Sequence, residues 1–225
     1  MCGRYSFNVK KAELKVQLPG VSLPDHWIEN LNICPTEQAL VICKGNQLVL
    51  TAMKWGFTNK GLSGIEMVPH INARSETVFE KRRFKDAILH KRCIIPADSF
   101  YEWGKYGKTK IPYRILPSDD AILYMAGIWE SFQHDNILFS SFVLVTTEAN
   151  EDLSDLHHRM PVCLNTEEER ENWLSDLTST GDLVSLMKPV KKGYFKKYAV
   201  SNLVNNIKVK SGSLHERINA PLTLF

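Results

Sequence analysis

Apolar residues in this chain come in short runs broken by turn residues, and few of the runs keep helical spacing. Ala39–Cys43 and Gln47–Trp55 read as two strands, because Gly45-Asn46 between them suits the tight reversal of a hairpin. Ile111–Leu116, Ala121–Trp129 and Leu138–Thr147 are further apolar runs of strand length. Cys93–Ile95 is predicted to be extended and to end at Pro96, which has no N–H for a ladder. Ala199–Val204 closes the series of predicted strands. Helical spacing shows in Phe84–Lys91, and Thr166 with Glu169 forms a capping box opening a helix through about Ser175. The polar stretch Thr58–Met67 reads as a loop.

Strands spread along the chain with helices irregularly between them exclude a regular βαβ series. The pattern predicts an α+β fold: a mostly antiparallel, strongly curved, barrel-like β-sheet with peripheral helices. With no repeat, low-complexity tract or linker, residues 1–225 are expected to form one domain. No apolar run approaches the ~20 residues of a membrane span. Arg4, Asn8, Lys10 and Lys11 interrupt any signal-peptide pattern. A cytoplasmic protein without a membrane partner is the expectation, and a monomer is assumed.

Composition narrows the chemistry. Net charge is +3, too small to hold nucleic acid by bulk charge, so any such surface must be local. Two basic segments qualify, Lys81–Lys85 leading to His90-Lys91-Arg92, and Lys188–Tyr198; either can equally be a solvated face. Five cysteines without a CxxC pair argue against a disulfide framework or a zinc quartet. Cys34, Cys43, Cys93 and Cys163 sit among apolar residues and read as core, whereas Cys2 has polar, positively charged neighbours. Phosphate-loop, dinucleotide and HExxH motifs are missing, so no cofactor and no metal are expected.

Cys2 directly follows Met1. Removal of Met1 leaves an α-amine and a thiol on adjacent carbons, titrating near ~7.7–8.0 and ~8.5 when unperturbed. Such a 1,2-aminothiol attacks an aldehyde with nitrogen and closes with sulfur to a five-membered thiazolidine. Three polar clusters interrupt the apolar pattern. In an extended Asn72-Ala-Arg74-Ser-Glu76, the amide, guanidinium and carboxylate share a face, as a phosphate-binding group or as a surface strand edge. Glu102 lies between aromatic neighbours, where desolvation makes it a proton-transfer group, unless an arginine pairs with it for structural reasons. His157-His158-Arg159 offers a proton shuttle with a phosphate clamp, or a structural loop histidine; two adjacent histidines alone are a weak metal signal.

Met1-Cys-Gly-Arg-Tyr5, Asn72-Ala-Arg-Ser-Glu-Thr77, Arg92-Cys-Ile-Ile-Pro-Ala-Asp98, Phe100-Tyr-Glu-Trp103 and His157-His-Arg-Met-Pro161, in this order, resemble the SOS-response-associated peptidase (SRAP) family. The resemblance implies a protein that binds single-stranded DNA and crosslinks to abasic sites through Cys2 once Met1 is gone. It implies that Asn72, Glu102 and His157 complete the catalytic group and that Arg4, Arg74 and Arg159 contact phosphates. Trp55 is a stacking or wedge candidate, with a buried core tryptophan as the alternative. The Trp55-Gly56 segment departs from the family by lacking a following proline and second tryptophan. Cys34 stands where alanine is usual, and Ser99 where glycine is. The rival functions are a cysteine-nucleophile (auto)peptidase that removes its own Met1, and a passive single-strand binder.

Overall fold

The computed structural model describes residues 2–25, 27, 29–57, 69–134 and 137–219. Met1 and the predicted loop Thr58–Met67 lie outside the described residues. The elements run β1 (Tyr5–Phe7), α1 (Lys11–Gln17), β2 (Asn30–Ile33), β3 (Gln38–Lys44), β4 (Leu48–Trp55), β5 (Asn72–Arg74), α2 (Arg82–His90) and β6 (Arg92–Ala97). They continue with β7 (Ser99–Tyr106), β8 (Thr109–Pro117), β9 (Leu123–His134), β10 (Ile137–Glu148), β11 (Arg159–Pro161), α3 (Glu167–Leu174), α4 (Thr180–Leu186) and β12 (Phe195–Ala199). The fold is α+β. No helix among the described residues is long and apolar enough to cross a membrane.

Five strands close on themselves. β4, β3, β6, β9 and β10 pair antiparallel in that order, and β10 returns to β4 in parallel, giving a mixed barrel. β10 meets β4 only at Ser141 and Phe142, and β5 takes over the same edge at Leu144–Thr146. Thr146 faces Arg74 of β5 and Pro161 of β11, so those two strands flank it on opposite edges. A second, antiparallel sheet runs β12-β8-β7-β1-β2.

Aromatic rings join the two sheets. Trp55 of β4 is fully buried, stacks on Phe142 of β10 at 6.3 Å and meets Tyr5 of β1 edge-on at 5.1 Å. Each such pair adds about 0.5–1.5 kcal/mol beyond its buried area. The helices cover the outside: α2 buries Phe84, Ala87 and Ile88, one stripe of its surface, and α3 opens with the Thr166–Glu169 capping box.

Two predicted boundaries are corrected. Pro96 lies inside β6, because at that point the strand pairs only with β9; its contact with β3 stops at Cys93 and Ile94. An edge position tolerates a residue without an N–H. Ala199–Val204 is not one strand: β12 stops at Ala199, and Asn202–Asn205 is a 3-10 turn whose Ser201 side chain accepts from the Leu203 N–H. That local bond competes with strand pairing. β1, β2, α1 and α4 escaped sequence reading because three to seven residues are too few to show a period.

Gly56 ends β4 with φ +122°, and its N–H bonds the Phe142 carbonyl at 2.7 Å. A Cβ there would stand 2.9 Å from the Pro69 Cβ, so the position excludes a side chain by both backbone and space. Gly56→Ala is expected to lower stability by about 1–3 kcal/mol, the cost of such a strained residue. Urea unfolding of the two proteins measures the difference.

Candidate functional site

The site forms where the second sheet meets the end of the barrel. β1 pairs with β7 through Tyr5 and Phe100, and the Tyr101 N–H reaches the Arg4 carbonyl at 2.9 Å. The residues preceding β1 therefore lie along the far end of β7. From the barrel side, β5 brings Asn72, whose Nδ2 donates to the Cys2 carbonyl at 2.9 Å. The Asn72 Oδ1 is also buried, and no donor reaches it among the described residues. An unsatisfied acceptor of this kind costs about 1–3 kcal/mol, so a ligand donor at that point would be well received.

Cys2 is completely buried within the main apolar cluster, which corrects the polar surroundings expected from its neighbours in sequence. Its Sγ lies 3.8 Å from the Arg4 carbonyl. Burial pushes the thiol up to about 12, and the negative charge of Glu102 pushes the same way. Glu102 on β7, opposite Tyr113, is 7% exposed, and burial raises its carboxyl above the usual range. Thiol and carboxyl share one poorly solvated region, in which the carboxylate charge disfavours ionisation of the thiol.

His157 precedes β11. Its Nδ1 accepts the Arg159 backbone N–H at 2.9 Å, so the neutral ring carries its hydrogen on Nε2. Burial pushes His157 down to about 4, with the stacked ring of His158, centroids 4.3 Å apart, acting in the same direction. At neutral pH it is an uncharged donor through Nε2.

The arginines divide sharply. Arg4 Nη1 donates to Asn32 Oδ1 at 2.8 Å and to the Val204 carbonyl at 2.6 Å, and its guanidinium lies 6.0 Å from the Trp103 ring. Arg74 is exposed at the end of β5. Neither has a carboxylate partner among the described residues. Arg159 is different: its side chain is 7% exposed and forks onto Glu76 at 2.6 and 3.0 Å, with a further bond to the Thr146 carbonyl. In this structure the charge of Arg159 is matched by Glu76. The stacking expected of Trp55 is corrected. Phe142 covers one side of the indole, Tyr5 meets it edge-on, and its Nε1 donates to the Ile71 carbonyl, so nothing of it is left exposed for a base.

Of the two basic segments, Lys188–Tyr198 is largely neutralised, with Lys192 on Glu151, Lys196 on Asp120 and Lys197 on Asp155. In the other, Arg83 forks onto Glu130. Cys34, Cys43, Cys93 and Cys163 are buried free thiols. No group of three His, Cys, Asp or Glu is placed to hold a metal among the described residues. One contributor was missed. Asn32 is completely buried, accepts from Arg4 and gives its Nδ2 to the carbonyls of Val204, Asn206 and Val209. Its signal in the sequence is an amide between Leu31 and Ile33, at the head of Asn32-Ile-Cys-Pro-Thr36, a weaker match to the family.

Residues 1–207 match the model of the family described as SOS response associated peptidase (SRAP). The chain is 38% identical over 196 residues to the abasic site processing protein YoaM of Bacillus subtilis (strain 168), covering 84% of this chain and 85% of that one. It is 28% identical over 222 residues to the abasic site processing protein YedK of Escherichia coli (strain K12), covering 95% and 98%. The crystal structure of a protein from Bacteroides thetaiotaomicron superposes with a TM-score of 0.78 at 26% identity, covering 90% of this chain and 93% of that one.

The low His157 pKa sets a pH dependence. The unfolded imidazole titrates near ~6.5 and the folded one near about 4, so between those values the unfolded chain binds the extra proton. The His157 contribution to stability is therefore intact above about pH 6.5 and is lost as pH falls toward 4. In His157→Gln, the decline in unfolding free energy from pH 7 to pH 4 is expected to be shallower than in the parent. Chemical denaturation at a series of pH values reads this directly.

Proposed function

Because the chain belongs to the SOS response associated peptidase (SRAP) family, we propose that it processes abasic sites in single-stranded DNA, capturing the sugar aldehyde with Cys2 as a new amino terminus. The observation that carries the proposal is the setting of Cys2: its carbonyl is held by Asn72, and its thiol feels the charge of the buried Glu102. The names of the relatives, abasic site processing proteins, supply the substrate class.

Burial orders the steps. It opposes ionisation of the Cys2 thiol, whereas a free α-amine near ~7.7–8.0 keeps roughly a tenth of its population unprotonated and nucleophilic at neutral pH. The amine therefore attacks the C1′ aldehyde first, giving a carbinolamine. Glu102, whose carboxyl burial raises above the usual range, passes a proton to the carbinolamine hydroxyl, which leaves as water to give the protonated Schiff base. The Cys2 sulfur then adds to the same carbon, its proton returns to the Glu102 carboxylate, and the neutral thiazolidine closes with one water released overall. His157 donates through Nε2–H to the sugar oxygen and so favours the open aldehyde. Asn72 fixes the Cys2 backbone, and its Oδ1 accepts from the amine. Arg4 and Arg74, charges without a carboxylate, take the flanking phosphates, so binding is salt-sensitive and largely independent of sequence. A Schiff base that fails to close permits β-elimination and strand cleavage as a side reaction.

A cysteine hydrolase needs a thiolate to lead, and burial of the Cys2 thiol opposes that. Incubation with an abasic single strand, read on a denaturing gel, separates the readings. The processed protein is expected to form a covalent adduct that Cys2→Ala abolishes and Glu102→Gln slows by about 10²–10⁴-fold, the usual worth of a positioned acid–base group. A protein shown by intact mass to retain Met1 is expected to form none. An adduct that survives Cys2→Ala, or peptide turnover beyond Met1 without any adduct, overturns the proposal.

A further inference from the structure

The hairpin joining β7 and β8 runs on past the start of β1 and beside the site. Its turn contains Gly107, with φ +58°. Lys105 and Lys110 are direct cross-strand partners, and Lys108 lies between them in the turn. All three are exposed, and none has a carboxylate within ion-pair distance among the described residues. This contrasts with Lys192, Lys196, Lys197 and Lys210, each of which meets an acidic side chain. Like charges directly opposite each other on a hairpin destabilise it. The hairpin is nonetheless well anchored: Tyr106 and Tyr113 bond through their hydroxyls and stack at 6.4 Å.

Position along β7 says what the charge faces. Side chains alternate along a strand, which puts Trp103 and Lys105 on one face, with Lys110 opposite Lys105. Arg4 lies against Trp103 on that face. Arg4, Trp103, Lys105 and Lys110 thus form a row on the face of β7 opposite Glu102, which starts at Arg4, two residues from Cys2, and leads away from it, with cations that no carboxylate of the described residues pairs. We infer that the β7–β8 hairpin is a second contact surface, which takes the sugar–phosphate backbone of the single strand flanking the captured site. The inference rests on the abasic-site reading above and adds where the strand runs. An anion on the hairpin relieves the Lys105–Lys110 repulsion, so binding and local stability are linked.

The test is a triple variant, Lys105→Gln, Lys108→Gln and Lys110→Gln, set beside a control that removes paired lysines, Lys192→Gln with Lys196→Gln. Affinity is measured over a salt series for two abasic single strands, one of only a few nucleotides around the lesion and one much longer. For the long strand, the triple variant is expected to bind more weakly, with a slope of log K against log salt shallower by about 2, roughly 0.7 for each lost contact. The short strand is expected to bind as to the parent, and crosslinking at saturating DNA to be unchanged. The melting temperature is expected to hold or rise as the like charges are removed, which excludes misfolding as the cause. Parental affinity and slope on the long strand, an equal loss on the short strand, or an equal loss in the control overturns the inference. If the parent crosslinks but the triple variant binds the long strand as the parent does, the hairpin inference alone fails. If the parent forms no adduct at all, the abasic-site reading fails first.

Discussion

The barrel closes because β10 bonds β9 along most of its length on one edge and β4 for only two residues on the other. That short parallel contact leaves the rest of this β10 edge open, and β5 fills it with Asn72–Arg74. On the opposite edge, β11 follows β9 with Arg159–Pro161. One continuous strand thereby delivers Asn72 and His157 to the same end of the barrel. The second sheet is pressed there by Tyr5 against Trp55, and it carries Cys2 and Glu102 with it. Two further features follow from this closure. Trp55 has to fill the seam between the sheets, and the Arg159–Glu76 pair locks β11 to the turn after β5.

Burial then assigns chemical roles among groups that are alike in sequence. Glu102 and Glu76 are both carboxylates in recognisable motifs. The first is driven toward its neutral form by desolvation, while hydrogen bonds from Arg159 and its surroundings outweigh a slight burial of the second and lower its pKa. His157 is kept uncharged, and the Cys2 thiol is kept from ionising. Proton carriers shielded from water suit condensation of an amine with an aldehyde, where protons are exchanged several times.

Arginine charge is handled by the same principle. Arg83, Arg114 and Arg159 each face a carboxylate, and their charge is spent inside the molecule. Arg4 is oriented as firmly, but by the Asn32 amide and the Val204 carbonyl, which hold its direction without cancelling its charge. Neutral acceptors leave a guanidinium attractive to an outside anion. Asn32 also pins the closing segment through three carbonyls, so the shape around Arg4 depends on residues about 170 positions away in the chain.

Ala39–Cys43, Gln47–Trp55, the helix at Phe84–Lys91 and the Thr166 capping box were legible in the sequence, because local apolar spacing and caps are local physics. So was the family, because Cys2, Asn72, Glu102 and His157 sit in ordered motifs that survive as text. Three-residue strands such as β1, β5 and β11 were not legible. Such strands exist only because a long neighbour supplies their hydrogen bonds, and no local pattern reports that. The sequence by itself determined which reactive groups this protein owns. Only the tertiary structure decided that Trp55 is fully buried, that Arg159 pairs with Glu76, that the Cys2 thiol lies in the core, and which lysines meet a carboxylate. Burial and ion pairing depend on what folds against a residue, and those neighbours come from distant parts of the chain.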